Sequence, residues 1–163
     1  AKLQLRKGEH RREIKLEDYF LAYGRQDRQP GEFVESVTIP LLPEGEKFAC
    51  YKLSKRREED ISTLCGAFRV FVNDAGLVGM ARVAFGGMAA TPKRARAVEA
   101  ALVGKPWTQA SIDMAMDAFG EDYQPISDMR ASADYRLLAA RNLLQRFFLE
   151  TTGQGQRLRR EVA

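Results

Sequence analysis

The chain has 163 residues, with 26 Lys and Arg against 22 Asp and Glu, a formal charge of +4 and 45% hydrophobic residues. A chain of this length buries roughly 70% of its extended surface on folding, so it needs no disulfide or metal staple. The composition excludes a disordered chain, a coiled coil and a disulfide scaffold. Acids and bases are interleaved rather than gathered in one stripe, which argues against nucleic-acid binding. There is no run of about 18 apolar residues and no signal-peptide pattern. The expectation is a cytoplasmic globule with neither nucleic acid nor membrane as a partner.

Taken in order, Arg11 to Leu16 reads as a short strand and Leu16 to Tyr23 as a helical turn anchored by Tyr19 and Phe20. After the Gln29-Pro30-Gly31 turn, Glu32 to Ile39 alternates as a strand that Pro40 ends. Phe48 to Leu53 is a second strand, and the short link 40–46 predicts a hairpin between the two. A dense charge run, Lys55-Arg56-Arg57-Glu58-Glu59-Asp60, follows. Cys65 to Val72 and Leu77 to Phe85 read as strands around an Asn73-Asp74-Ala75-Gly76 turn. From residue 91 the apolar period becomes helical. Thr91 is the expected N-cap of a helix with Pro92 at its first position, Ala95, Val98 and Leu102 on one face, and Gly104 as its stop. Thr108 caps a second helix carrying Ile112, Ala115, Met116 and Phe119. Ser132 opens the longest, where Leu137, Ala140, Leu144, Phe147 and Phe148 form a stripe opposite Asn142 and Arg146.

Strands followed by helices predict an α+β fold, an antiparallel sheet of three to four strands packed against a three-helix layer. The organisation expected is an N-terminal segment over 1–30, an α+β domain over 31–151 and a basic flexible tail over 152–163.

The two cysteines, Cys50 and Cys65, form no C-x-x-C pair, and His10 is the single histidine, beside Arg11 and Arg12. Neither an iron–sulfur cluster, a structural zinc nor a Ser-His-Asp system is expected to be built from this chain alone. The block from Lys52 to Asp60 is the strongest candidate for chemistry: a charged loop that steers an anionic ligand, or a solvated turn with weak ion pairs. Gly86-Gly87 could present backbone N–H groups to a phosphate, but without a full glycine motif a close-packed turn is the plainer account. In the polar cluster of Asp128, Arg130, Ser132, Tyr135 and Arg136, Asp128 or Ser132 would cap the last helix and Arg130 would pin the loop. Glu121 and Asp122 sit at a predicted helix end and carry little catalytic weight.

The stretch Phe48-Ala49-Cys50-Tyr51-Lys52-Leu53-Ser54-Lys55-Arg56-Arg57-Glu58-Glu59-Asp60-Ile61-Ser62 resembles the flavoprotein of the molybdenum hydroxylases, in the form of the small subunit of bacterial xanthine dehydrogenases. Three further stretches agree in order. They are Gln29-Pro30-Gly31-Glu32-Phe33-Val34-Glu35-Ser36 with Ile39-Pro40, Phe85-Gly86-Gly87-Met88-Ala89-Ala90-Thr91-Pro92, and Asp128-Met129-Arg130-Ala131-Ser132 with Tyr135-Arg136. The resemblance implies the C-terminal subdomain of an FAD-binding region, similar to the CO dehydrogenase flavoprotein C-terminal domain. In that family FAD is shared with preceding subdomains, which carry the glycine-rich flavin contacts. Iron–sulfur clusters and molybdopterin lie elsewhere in the complex, and NAD is the electron acceptor. The implied partners are the preceding FAD and iron–sulfur domains of the small subunit and a molybdopterin-binding large subunit. The implied cofactor-binding residues are Val34, Lys52, Arg56, Arg57, Glu59 and Asp60; no catalytic or metal-ligating residue is implied. The isolated chain is expected to be inactive, a fragment or separately encoded piece of an NAD-dependent oxidoreductase of purine hydroxylation. A non-catalytic interaction module of the same fold, and the flavoprotein of a related carbon monoxide or aldehyde dehydrogenase, are the alternatives.

Overall fold

The computed structural model describes residues 1–56 and 60–155. Its longest strands, β7 (Leu64–Val72) and β8 (Val78–Gly86), are joined by the Asn73–Gly76 turn. There the Asn73 side chain accepts from the Leu77 N–H at 2.9 Å, and Gly76 takes φ +74°, which other residues rarely adopt. Strand β6 (Glu46–Leu53) lines the far side of β7, and the two-residue β9 (Lys93–Arg94) the far side of β8, making an antiparallel sheet in the order β6-β7-β8-β9. Helices α2 (Arg96–Leu102), α3 (Gln109–Asp117), the single turn α4 (Phe119–Asp122) and α5 (Ala133–Thr151) cover one face. This is the α+β layering that strands followed by helices imply.

The period-2 alternation of the strands decides which face is covered. Tyr51, Phe68, Val70, Val83 and Phe85 point to the helices and are buried. Phe68 stacks on Phe147 of α5 with ring centroids 5.3 Å apart, and meets Phe85 edge-on at 5.6 Å. Phe85 in turn contacts Phe119 edge-on at 5.6 Å. Such ring pairs add about 0.5–1.5 kcal/mol each beyond the area they bury. Val98, Leu102, Ile112, Ala115, Ala140 and Leu144 complete this core from the helices, as their spacing requires.

A second, smaller sheet lies N-terminal to it. Strands β1 (Lys2–Lys7), β2 (His10–Lys15) and β5 (Phe33–Thr38) pair in the order β2-β1-β5, with Leu3, Leu5 and Tyr19 as its own small core. The predicted hairpin between Glu32–Ile39 and Phe48–Leu53 does not form. β5 pairs antiparallel with β1 instead, and β6 pairs with β7. The short link permitted a hairpin, but β1, which the sequence reading missed, offers β5 a partner. The expected helical turn over Leu16–Tyr23 shrinks to α1 (Leu16–Tyr19), followed by β3 (Phe20–Ala22), which pairs with β4 (Arg25–Gln26). Tyr19 is buried while Phe20 is partly exposed.

The expected cap at Thr91 is also displaced. Helix α2 begins after Ala95, because Lys93 and Arg94 are drawn into β9. Its free N–H groups are satisfied from a distance: the Asp122 carboxylate accepts from Ala97 and Val98, each at 3.0 Å. Asp122 thus closes a helix end rather than serving chemistry. Buried Glu99 accepts from the Val83 N–H at 2.9 Å and from Arg94 at 2.8 and 2.6 Å, fastening α2 to the short-paired edge of β8.

The N-terminal sheet is held by charge. Arg12 donates to Glu32 at 2.8 Å and to Asp27 at 3.1 Å, and Arg11 and Arg6 each donate to Glu35 at 2.8 Å. The Arg12 guanidinium and the Gln29 N–H hold Glu32 at about 2, and Arg11 and Arg6 hold Glu35 at about 2, against an ordinary 4.5. A carboxylate with a depressed folded pKa stabilises above its unfolded pKa and loses that contribution as pH falls through the folded one. Acid between pH 4.5 and about 2 is therefore expected to loosen this sheet first. Amide exchange should show Leu3 and Leu5 losing protection at a higher pH than Phe68 and Val70; simultaneous loss would refute the assignment.

Candidate cofactor-facing sheet face and loop

With helices on one side only, the opposite face of the large sheet is left open. Strand β6 presents Phe48, Cys50 and Lys52 there, while Tyr51 turns inward and donates to Glu150 of α5 at 2.8 Å. The register sets Lys52 opposite Cys65 and Cys65 opposite Gly86, Cys50 opposite Ala67 and Ala67 opposite Ala84, and Phe48 opposite Arg69 and Arg69 opposite Arg82. Small side chains therefore floor the middle of this face. Lys52 stands at one end, and Arg69, ion-paired with Glu46, lies with Arg82 toward the other. Cys50 and Cys65 are free thiols with sulfurs 3.7 Å apart. Partial burial and the neighbouring Cys50 push the Cys65 thiol up to about 11.

Lys52 leads directly into the charged loop. The Asp60 carboxylate accepts from the Arg56 N–H at 2.9 Å and lies 3.8 Å from its guanidinium, so the loop closes on its own ends. That backbone donor holds Asp60 below the usual carboxylate range. Lys55 reaches across to the Met129 carbonyl at 2.7 Å, beside a shallow cleft between Leu53, Thr63, Arg130 and Tyr135. Of the site residues implied by resemblance, Arg56 and Asp60 are in contact, and Lys52 lies on the strand that leads into their loop. Val34 lies on β5 in the other sheet, exposed and opposite Leu5. Arg57 and Glu59 lie outside the described residues.

The base of the loop is fixed by a residue the sequence reading left in a general polar cluster. Arg136 of α5, with a side chain 4% exposed, donates to the carbonyls of Thr63 and Gly87, the latter at 2.7 Å, and to Asp128 at 2.7 Å. Asp128 also accepts from the Arg130 and Ala131 N–H groups, which hold its carboxyl below the usual range. Ser132 caps α5 by accepting from Tyr135 N–H at 3.2 Å. The loop is pinned by Arg136, not by Arg130. Gly87 belongs to this packing rather than to a phosphate cradle. Its φ is +81°, and a Cβ there would sit 2.6 Å from the Thr63 carbonyl oxygen.

Residues 49–151 match the CO dehydrogenase flavoprotein C-terminal domain, and residues 1–42 match the FAD binding domain in molybdopterin dehydrogenase. The chain belongs to the CO dehydrogenase flavoprotein C-terminal domain family. It is 32% identical over 145 residues to the xanthine dehydrogenase of Emericella nidulans, covering 87% of this chain and 11% of that protein. The nicotinate dehydrogenase FAD-subunit of Eubacterium barkeri is 26% identical over 146 residues, covering 88% of this chain and 49% of that protein. Carbon monoxide dehydrogenase from Hydrogenophaga pseudoflava superposes with a TM-score of 0.83 at 28% identity, covering 95% of this chain and 53% of the matched chain. The chain therefore spans about half of the matched FAD-subunit and about a tenth of the matched xanthine dehydrogenase.

The residues present fit an FAD flavoprotein. A face of small residues bordered by the exposed Lys52 suits an anionic cofactor, and Arg69 and Arg82 keep it cationic despite Glu46. In this frame, replacing Arg136 by Met leaves two carbonyls and Asp128 without their buried donor. The expected loss is about 3–5 kcal/mol, read as a lower urea midpoint. Gly87→Ala is expected to destabilise as well, through its positive φ and the Thr63 contact. Unchanged midpoints for both variants would show that this junction is not structural.

Proposed function

We propose that this chain is the C-terminal part of the FAD-binding region of a xanthine dehydrogenase. The whole enzyme would hydroxylate a purine at a molybdopterin centre and pass the electrons through iron–sulfur clusters and FAD to NAD. The observation that carries the reading is the exposed Lys52 ammonium at the end of the open sheet face, beside the Arg56–Asp60 loop, in a chain of an FAD-binding family. Bound FAD would supply a two-electron store between one-electron clusters and a hydride acceptor.

The chain's own contribution is binding and electrostatics. Lys52 would hold the polar edge of the cofactor and stabilise negative charge there. Asp60 joins the two described ends of the loop by accepting from the Arg56 N–H. Arg57 and Glu59 of the same loop would tune the approach of the dinucleotide. Val34 would supply an apolar contact from the second sheet. No bond of the purine is made or broken by a group of this chain. The reading also assigns the preceding FAD and iron–sulfur domains and a molybdopterin-binding large subunit as partners, in a cytoplasmic enzyme.

A carbon monoxide or aldehyde dehydrogenase flavoprotein is the second reading, favoured by the superposition on carbon monoxide dehydrogenase. A substrate panel on the intact enzyme separates them, because the substrate is selected outside this chain. For the leading reading, Lys52→Ala in the intact enzyme is expected to lower flavin content or slow NAD reduction, with Lys52→Arg restoring part of it. Reduction of the molybdenum centre by substrate should be largely unaffected. Wild-type flavin occupancy together with wild-type NAD kinetics would overturn the assignment of Lys52.

A further inference from the structure

We propose that Cys50 and Cys65 form a redox-active dithiol on the open sheet face, which hydroperoxides close to a disulfide and small thiols reopen. The cysteines are diagonal neighbours, Cys50 standing opposite Ala67 and Cys65 opposite Lys52. Their sulfurs lie 3.7 Å apart, within reach of an S–H···S contact. A disulfide shortens this to about 2.05 Å, and because diagonal neighbours stand about 7–8 Å apart at Cα, closure draws the two strands together locally. Ala67, Ala84 and Gly86 lie beside them across the register, while Lys52 opposes Cys65 and, with Phe48, flanks Cys50 along its own strand.

The two thiols have different surroundings, and the difference orders the reaction. Cys50 is exposed while Cys65 is partly covered. The Cys65 thiol is held protonated at neutral pH. Cys50 is therefore the sulfur that meets the oxidant. Its sulfur attacks the peroxide O–O bond, giving Cys50 sulfenic acid and water from hydrogen peroxide. The Cys65 sulfur then displaces hydroxide from that sulfenic sulfur, and its proton leaves with the hydroxide as a second water. Two thiols lose two electrons and two protons in total, and one peroxide becomes two waters.

The pair rests on the geometry of the face and not on the flavin reading. It nevertheless sits where that reading places the cofactor, because Lys52 follows Cys50 by two residues on the same face and faces Cys65 in register.

Trypsin leaves the cysteines on separate peptides, Phe48–Lys52 and Glu58–Arg69. The intact protein is treated with hydrogen peroxide at neutral pH, blocked with iodoacetamide and mapped by mass spectrometry, native and in urea. The expected product is the two peptides joined and lighter by two hydrogens, formed several-fold faster in the native protein than in urea and lost with dithiothreitol. Cys50→Ser should abolish the joined peptide, and Cys65→Ser should leave Cys50 to proceed to sulfinic acid. The inference is overturned if native protein gives separately oxidised or unreacted cysteines, or joins them no faster than unfolded chain. Flavin content is measured in parallel, so failure of the dithiol and failure of the flavin assignment are distinguished.

Discussion

The buried Arg136 guanidinium is the constraint on which the candidate site depends. From the first turn of α5 it reaches the carbonyl of Thr63, where the chain returns from the charged loop to β7, and the carbonyl of Gly87, where β8 ends. It also holds Asp128, which organises the approach to α5. A single cation thus joins the end of the loop, the end of the hairpin and the start of the longest helix. Only a planar, multiply donating group could satisfy acceptors from these directions, which is why a lysine would not substitute.

With that junction fixed, the asymmetry of the sheet follows from packing. α5 lies over β6 and β7 through the Phe68–Phe147 stack, and the Tyr51–Glu150 hydrogen bond ties its C-terminal end to β6. Arg146 lies 4.6 Å over the Tyr51 ring and is bonded to Glu150, so the polar side of α5 still engages the sheet. All helices of the larger half fall on this side. Strand alternation then obliges Lys52, Cys50 and Cys65 to face away from them. The open face is a consequence of where the apolar residues went, and Lys52 stands at its end.

The N-terminal sheet is built on a different principle. Its buried apolar residues are few, Leu3, Leu5 and Tyr19, and arginine–carboxylate pairs supply much of its definition. Between the two sheets, Glu17 stands 3.7 Å from Arg94 and 3.9 Å from Arg96, a polar contact rather than a shared core. Strongly depressed carboxylates in one sheet and an aromatic core in the other make the two halves respond differently to acid.

Much of this was legible in the residues themselves. The β7–β8 hairpin could be read from Asn73–Gly76 between two apolar runs. The faces of α2, α3 and α5 follow from the spacing of Val98 and Leu102, of Ile112 and Ala115, and of Ala140, Leu144 and Phe147, because period and turn chemistry are local properties. The importance of the Lys52–Asp60 block came from its charge density and from likeness to a family. What tertiary structure alone decided is whatever joins distant segments. β5 pairs with β1 rather than β6; Asp122 caps a helix that begins 26 residues earlier at Arg96. Gly87 is required by the Thr63 carbonyl, and Cys65 comes beside Cys50 only through the register of β6 on β7. A local pattern states which face a residue occupies, whereas the partner on that face is set by long-range pairing, which leaves no periodic signature in the sequence.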